Sequence, residues 1–174
     1  AAALLVLGVC WAGGWSAGWL PGDVRYYMAQ DHRRPVVLPD HSQVELNRQS
    51  SLLYLAYRQE RRVRLHEGEA FFDVSPDAQR PFLIDTDNAE VRVTGTHFNV
   101  WTTAPTTTVT VSEGRVLVTP GSAADEPPVE LTAGLHGRFS QKAVARVSRV
   151  DPAVAMAWRN DRLVFEATPL PDAL

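Results

Sequence analysis

The chain has 174 residues, 45% of them apolar and 21% charged, with a formal net charge of −3. This is the profile of a folded chain rather than a disordered one, long enough for one domain or one domain plus part of another. The negative balance argues against nucleic acid as the main partner, because phosphate binding needs a surplus of cationic side chains.

Residues 1–20, AAALLVLGVCWAGGWSAGWL, carry no charge, and Ser16 is the only clearly polar side chain. About 20 apolar residues are needed to cross a bilayer as a helix, and this run reaches that length before Pro21-Gly22 breaks it. Trp11, Trp15 and Trp19 recur at the spacing of one helix face, with Trp19 at the expected water boundary. Gly8, Gly13, Gly14 and Gly18 are costly in a soluble helix and common in membrane helices. The competing reading is a signal-peptide core, but Trp-Leu-Pro-Gly makes a poor cleavage site. The pattern predicts a transmembrane helix over 1–20 and a linker over 21–35. Cys10 is the only cysteine, so no internal disulfide forms and stability must come from core burial.

From 36 to 150 short apolar alternations are separated by turns, which predicts a mainly β domain, an antiparallel sandwich or a β-solenoid. Expected strands include VVL (36–38), QVEL (43–46), SLLYLAY (51–57), RVRL, EAFFDV (69–74) and PFLID (81–85). They continue through EVRVTG, HFNVW, TTTVTVS, RVLVTP, VELTA, GRFS and ARVSRV. Side chains alternate faces along a strand, so Val93 and Phe98 should point to opposite sides although both look like core residues. The same odd spacing separates Leu65 from Ala70 and Val111 from Val116, each time with a glycine between. A bend at Gly68, Gly95 and Gly114 would keep the apolar side chains inward. With Gly134 these glycines lie 27, 19 and 20 residues apart, which suggests stacked solenoid turns; unrelated bulges in a sandwich are the alternative. GSAADEPP (121–128) reads as an exposed hairpin tip.

Asp151-Pro152 pairs a cap residue with proline at the first helical position, predicting a short helix that ends near Asn160. Leu163 and Phe165 then read as a strand, and Thr168-Pro169-Leu170 as a second helix start. Residues 151–174 thus read as a short helix and the start of a small α+β module.

Phosphate-loop, dinucleotide, nucleophile-elbow and zinc-protease motifs are absent from the sequence. Asp40-His41-Ser42 looks triad-like, but three adjacent residues cannot adopt triad geometry. Glu67, Glu69 and Asp73 form a carboxylate cluster better read as an exposed turn than as acid–base machinery. His32, His41, His66, His97 and His136 lack tight ligand spacing, although four flank proposed corners. The expectation is a non-enzymatic chain with no catalytic residues, cofactor or metal. The arginines at 33–34 and 58–64 read as a solvated surface.

The segments VVLPDHSQVELNRQSSLLY, RRVRLHEGEAFFDVSPDAQRPFLIDT, AEVRVTGTHFNVW and TVTVSEGRVLVTP resemble, in order and spacing, the motifs of the FecR family of membrane-bound sigma-factor regulators. The resemblance covers about residues 36 to 140 and implies motif roles for Asp40, Gly68, Glu69, Phe72, Arg80, Pro81, Phe82, Gly95, Thr96, Phe98, Asn99, Glu113 and Gly114. These residues are expected to shape corners and pack the core. His41 stands where the family usually has Gly, which matters if that turn needs positive φ. Asn160 is a second departure, near Trp158, where Gly is frequent.

The family arrangement implies a cytosolic segment that binds an extracytoplasmic-function sigma factor, one inner-membrane helix, and a periplasmic β domain. It further implies relay of ligand occupancy, often with proteolysis, from the signalling domain of a TonB-dependent outer-membrane receptor, as in iron or siderophore uptake. Trp158, Leu163, Phe165, Pro169 and Leu170 fall where such a partner would be contacted. The rival reading is an envelope carbohydrate-binding or structural β domain, for which Tyr54, Tyr57 and Trp101 are the candidate aromatics.

Overall fold

The computed structural model describes residues 13–14, 18–121, 127–140, 143–160 and 162, with backbone only at 143–145. Among the described residues, fourteen strands make up two sheets of seven. They are β1 Asp23–Ala29, β2 Arg34–Val37, β3 Gln43–Leu46, β4 Ser50–Ala56, β5 Arg61–Arg64, β6 Gly68–Asp73 and β7 Phe82–Asp85. The series continues with β8 Ala89–Val93, β9 His97–Thr103, β10 Thr106–Glu113, β11 Arg115–Pro120, β12 Val129–Thr132, β13 Leu135–Ser140 and β14 Ala143–Arg149. Helix α1, Pro152–Ala155, and a 3₁₀ turn, Ala157–Asn160, close the described chain.

The first sheet runs β1-β4-β5-β7-β8-β11-β12, and the second runs β2-β3-β6-β9-β10-β13-β14. Strand number rises along both, so the chain winds progressively from one end of a two-layer roll to the other. Between crossings it usually lays down a hairpin, and neighbours are therefore antiparallel. The exception is β6, a single strand between two crossings, and β5 and β7 consequently pair in parallel. The stacked solenoid turns expected from the glycine spacing occur only there. Elsewhere the intervening hairpins reverse the chain.

Each predicted glycine corner is a crossing between sheets. Gly68 opens β6 after the crossing from β5, Gly95 lies between β8 and β9, Gly114 between β10 and β11, and Gly134 between β12 and β13. Val91 and Val93 face inward from the first sheet, Phe98 and Val100 inward from the second, and all four join one core. Phe72 stacks on Phe98 at 5.4 Å and meets Phe82 of the opposite sheet edge-on at 6.2 Å. Each such fully buried large side chain contributes about 1.5–3 kcal/mol through loss of apolar surface to water.

The strands expected between residues 36 and 150 are all present, and one more was missed. β1 lies in the stretch read as a linker, because its apolar residues Val24, Tyr26 and Met28 face outward while Tyr27 and Ala29 reach the core. Asp151 caps α1, accepting from Ala153 N at 2.9 Å, with Pro152 in the first turn. No helix among the described residues is long and apolar enough to cross a membrane. The span expected over 1–20 lies outside them, apart from residues 13–14 and 18–20. Most of the loop 121–128 also lies outside them, as do the elements expected at 163–170.

The glycine corners are not equivalent. At Gly68 φ is 113°, and a Cβ would sit 2.7 Å from Ser50 Cα and 2.4 Å from its Oγ. At Gly134 φ is 80°, but nothing lies within 4 Å. Gly134→Ala should therefore lose only the roughly 1–2 kcal/mol of left-handed backbone strain. Gly68→Ala adds a backbone clash and should lose more than about 3 kcal/mol in urea unfolding.

Candidate functional site

Asp40 sits in the turn that joins β2 to β3, closed by His41 N donating to Leu38 O at 3.0 Å. His41 has φ 67°, so the turn does need the left-handed conformation for which glycine is better suited. Asp40 turns inward and accepts from Arg61 Nη1 at 2.8 Å, with the two side chains 4% and 1% exposed. Ser42 Oγ donates to Asp40 at 2.7 Å and accepts from Ser75 N at 3.0 Å. This excludes the triad-like reading, since His41 is exposed and takes no part.

Arg61 also donates to Ser75 O and, through Nε, to Arg80 O, each at 2.9 Å, and its guanidinium lies 5.3 Å from the Phe82 ring centre. Both ends of the loop between β6 and β7 are thereby fastened to one buried cation. Arg80 contributes its carbonyl; its side chain pairs with Asp77 at the surface. Pro81 O accepts from Arg61 N, and Phe82 is fully buried. Tyr54 is buried beside this group, its phenol pushed up to about 12 by burial and by the charge of Asp40.

Reading the arginines at 58–64 as a solvated surface therefore fails for Arg61. The signal was present: Arg61, Val63 and Leu65 share the inward phase of one alternation. Arg62 points outward and pairs with Glu60 and Asp85.

The remaining motif residues split between corners and the outer face of the second sheet. Thr96 Oγ1 donates to Arg115 O at 3.0 Å and packs where a Cβ on Gly114 would lie, so two crossings brace each other. His97 bridges Asp73 and Glu113 at 2.9 and 3.0 Å. His66 contacts Asp87, and His136 contacts Thr110. The corner histidines are thus apart, and no metal-binding group of three ligands occurs among the described residues. The carboxylate cluster is dispersed too. Gly68 turns Glu67 out of the strand, Glu69 faces the asparagines, and Asp73 faces His97. The aromatics of the carbohydrate reading do not form a row: Tyr54 is in the core of the first sheet, and Trp101 is exposed on the second.

Glu69 and Asn99 build the most organised outward site. Glu69 accepts from Asn99 and Asn47, both at 2.8 Å, and Trp158 Nε1 donates to Asn99 Oδ1 at 3.3 Å. Arg159 stacks on Phe71 at 3.6 Å, donates to Glu45 Oε2 from Nε at 3.1 Å, and makes a second contact from Nη2 to Glu45 Oε1. Arg33 in turn donates to Arg159 O, and Met156 and Ala157 are buried. The 3₁₀ turn after α1 is therefore clasped onto β3, β6 and β9. Phe71, buried but outside the main core cluster, is its floor. Of the expected partner-contact residues only Trp158 is described, and it is held in this clasp; Leu163, Phe165, Pro169 and Leu170 lie outside the described residues. Arg159 and Glu45 had no sequence signal, because they are 114 residues apart.

These features define a class: a two-sheet β roll with braced crossings, a buried ion pair, and a tail clasped to one outer face. A profile of the FecR protein family matches residues 24–117, from β1 into β11. The chain belongs to the FecR family. Two crystal structures of a candidate anti-sigma factor from Parabacteroides distasonis ATCC 8503 share its fold, each with a TM-score of 0.74 and 26% identity. The alignments cover 87% and 86% of this chain and 71% of theirs. No curated protein matches the chain.

Two outcomes follow from the geometry. Asp40→Ala leaves the Arg61 charge buried and unpaired and should cost about 3–5 kcal/mol in urea unfolding, while Asp40→Ala combined with Arg61→Met should recover part of that loss. Burial raises the Glu69 carboxyl above its ordinary value, against the opposing hydrogen bonds from Asn99, Asn47 and Trp158. The folded chain then holds this proton more tightly than the unfolded one. Stability from Glu69 is full below about pH 4.5 and falls as pH rises through the folded value. The wild-type urea midpoint, measured against Glu69→Gln across that range, should decline with rising pH.

Proposed function

We propose that this chain is the membrane-span and periplasmic portion of a sigma-factor regulator in the inner membrane. It crosses once, and the β roll lies in the periplasm. On this reading it relays the state of a TonB-dependent receptor's signalling domain to an extracytoplasmic-function sigma factor, in iron or siderophore uptake. A segment preceding residue 1 binds the sigma factor. The reading draws on FecR membership, on the solved structures of a candidate anti-sigma factor, and on the apolar run before β1.

The observation that carries it is the clasp. Residues 158–159 fasten the start of the C-terminal module to the outer face of the second sheet through Asn99, Phe71 and Glu45. Force or rearrangement in that module reaches the roll through these contacts, and the roll is joined to the membrane segment through β1. The motif residues serve as the rigid body of the relay, with no catalytic role, and the chain is not an enzyme.

Arg159→Glu sets a carboxylate against Glu45 and above Phe71 while leaving the main core intact. In the full-length regulator it should abolish receptor-dependent sigma-factor activity in a reporter strain without lowering the unfolding midpoint of the β domain by more than a few degrees. Co-purification of the wild-type regulator with receptor signalling domains supplies the binding arm. A full response from the Arg159→Glu protein would sink the relay through the clasp, and failure of any receptor domain to bind would sink the receptor reading.

A further inference from the structure

The outer face of β1 carries an apolar patch. Val24, Tyr26 and Met28 alternate along it, 48%, 62% and 41% exposed, with the Tyr26 hydroxyl 3.8 Å from Met28 Sδ. Opposite them on β4 lie the half-buried Leu55 and Leu53, paired in register with Val24 and Tyr26. Cross-strand partners share a face, so the five side chains form one strip two strands wide. The other exposed large apolar side chains on strands, Val37, Trp101 and Val147, sit singly on separate strands, and Trp19 precedes β1. β1 is an edge strand, and the far side of the strip meets Arg64, which opposes Leu53 on β5.

The occupant is indicated by where the chain comes from. The uncharged run 1–20 ends next to β1. Trp19 N donates to Gly14 O at 2.8 Å and Gly18 has φ 82°, the hydrogen-bond and backbone pattern that ends a helix. Trp19 is 81% exposed. From Leu20 to the first residue of β1 the tether can span only about 10 Å, and Gly22 N is pinned to Ala56 O at 2.8 Å, at the end of β4. Any surface from which the run emerges is therefore within reach of the strip. An aliphatic and tyrosine face with exposed arginines at its margins (Arg34, Arg64) suits the bilayer interface, where aromatic rings sit at headgroup level and cations meet lipid phosphates.

We propose that the outer face of β1 and β4 rests on the bilayer surface, with Val24, Tyr26, Met28, Leu53 and Leu55 in the headgroup region. This rests on the membrane-span reading above. It fixes the end of the roll against the membrane, so that the clasp faces away from the tether.

The test uses the full-length regulator in phosphatidylcholine vesicles, with and without phosphatidylglycerol, carrying a nitroxide label at one cysteine at a time. The native Cys10 reports the span. Tyr26→Cys and Met28→Cys, each combined with Cys10→Ser, report the face, and Val147→Cys in the same background reports the far end of the roll. The expected result is a higher ratio of oxygen to nickel-chelate accessibility at 26 and 28 than at 147, rising further with phosphatidylglycerol. A bilayer-buried label at 10 with water-exposed labels at 26 and 28 overturns the inference and leaves the span intact. A water-exposed label at 10 overturns both. Spin–spin coupling at 26 that persists on dilution with lipid shows a second copy covering the strip, and also overturns it.

Discussion

A chain built almost entirely of strands must keep its apolar side chains inward each time it leaves one sheet for the other, and the two-residue period of a strand makes that crossing a change of parity. The crossings at Gly68, Gly95, Gly114 and Gly134 meet this constraint with a bend in place of a twist of the whole strand. Gln49, with φ 53°, does the same between β3 and β4 without a glycine. Because each crossing displaces the chain by a strand or a hairpin, the roll grows in one direction. Its first and last strands, β1 and β14, lie at opposite ends of the winding order, and the helical turn after β14 folds back over β3, β6 and β9.

Within that frame the Asp40–Arg61 pair holds the longest connection between sheets. The loop from β6 to β7 carries no regular hydrogen-bonded structure, and its carbonyls at Ser75 and Arg80 converge on Arg61. A buried cation is costly, and here its partners are one carboxylate, two carbonyls and the face of Phe82. The pair is better understood as setting which way that loop folds than as a source of net stability. Arg61 Nη2 has no hydrogen-bond partner among the described residues, consistent with its lying against an aromatic ring.

The outer faces carry the functional differences. On the second sheet, Glu69, Asn99, Asn47 and Phe71 are outward residues that would be solvated in an isolated sheet and are covered because the tail folds back over them. On the first sheet, the apolar strip of β1 and β4 is not covered by the described chain. One face thus receives the C-terminal side of the molecule, and the other faces the side from which the chain enters.

The sequence by itself determined the strands from β2 onward, the glycine corners, the Asp151 cap and the family, because each is written in local spacing: alternation, a parity break, or an ordered motif. It also held the clue to Arg61, in phase with Val63 and Leu65, which the arginine-rich context masked. What only the tertiary structure decided depends on contacts between distant residues. Asp40 and Arg61 are 21 apart, Glu45 and Arg159 are 114 apart, and Trp158 and Asn99 are 59 apart. β1 was hidden for a related reason, since a strand whose larger apolar residues face outward does not show the inward alternation by which strands are recognised. A side chain's face follows from its neighbours in sequence, but what covers that face depends on where the rest of the chain comes to lie.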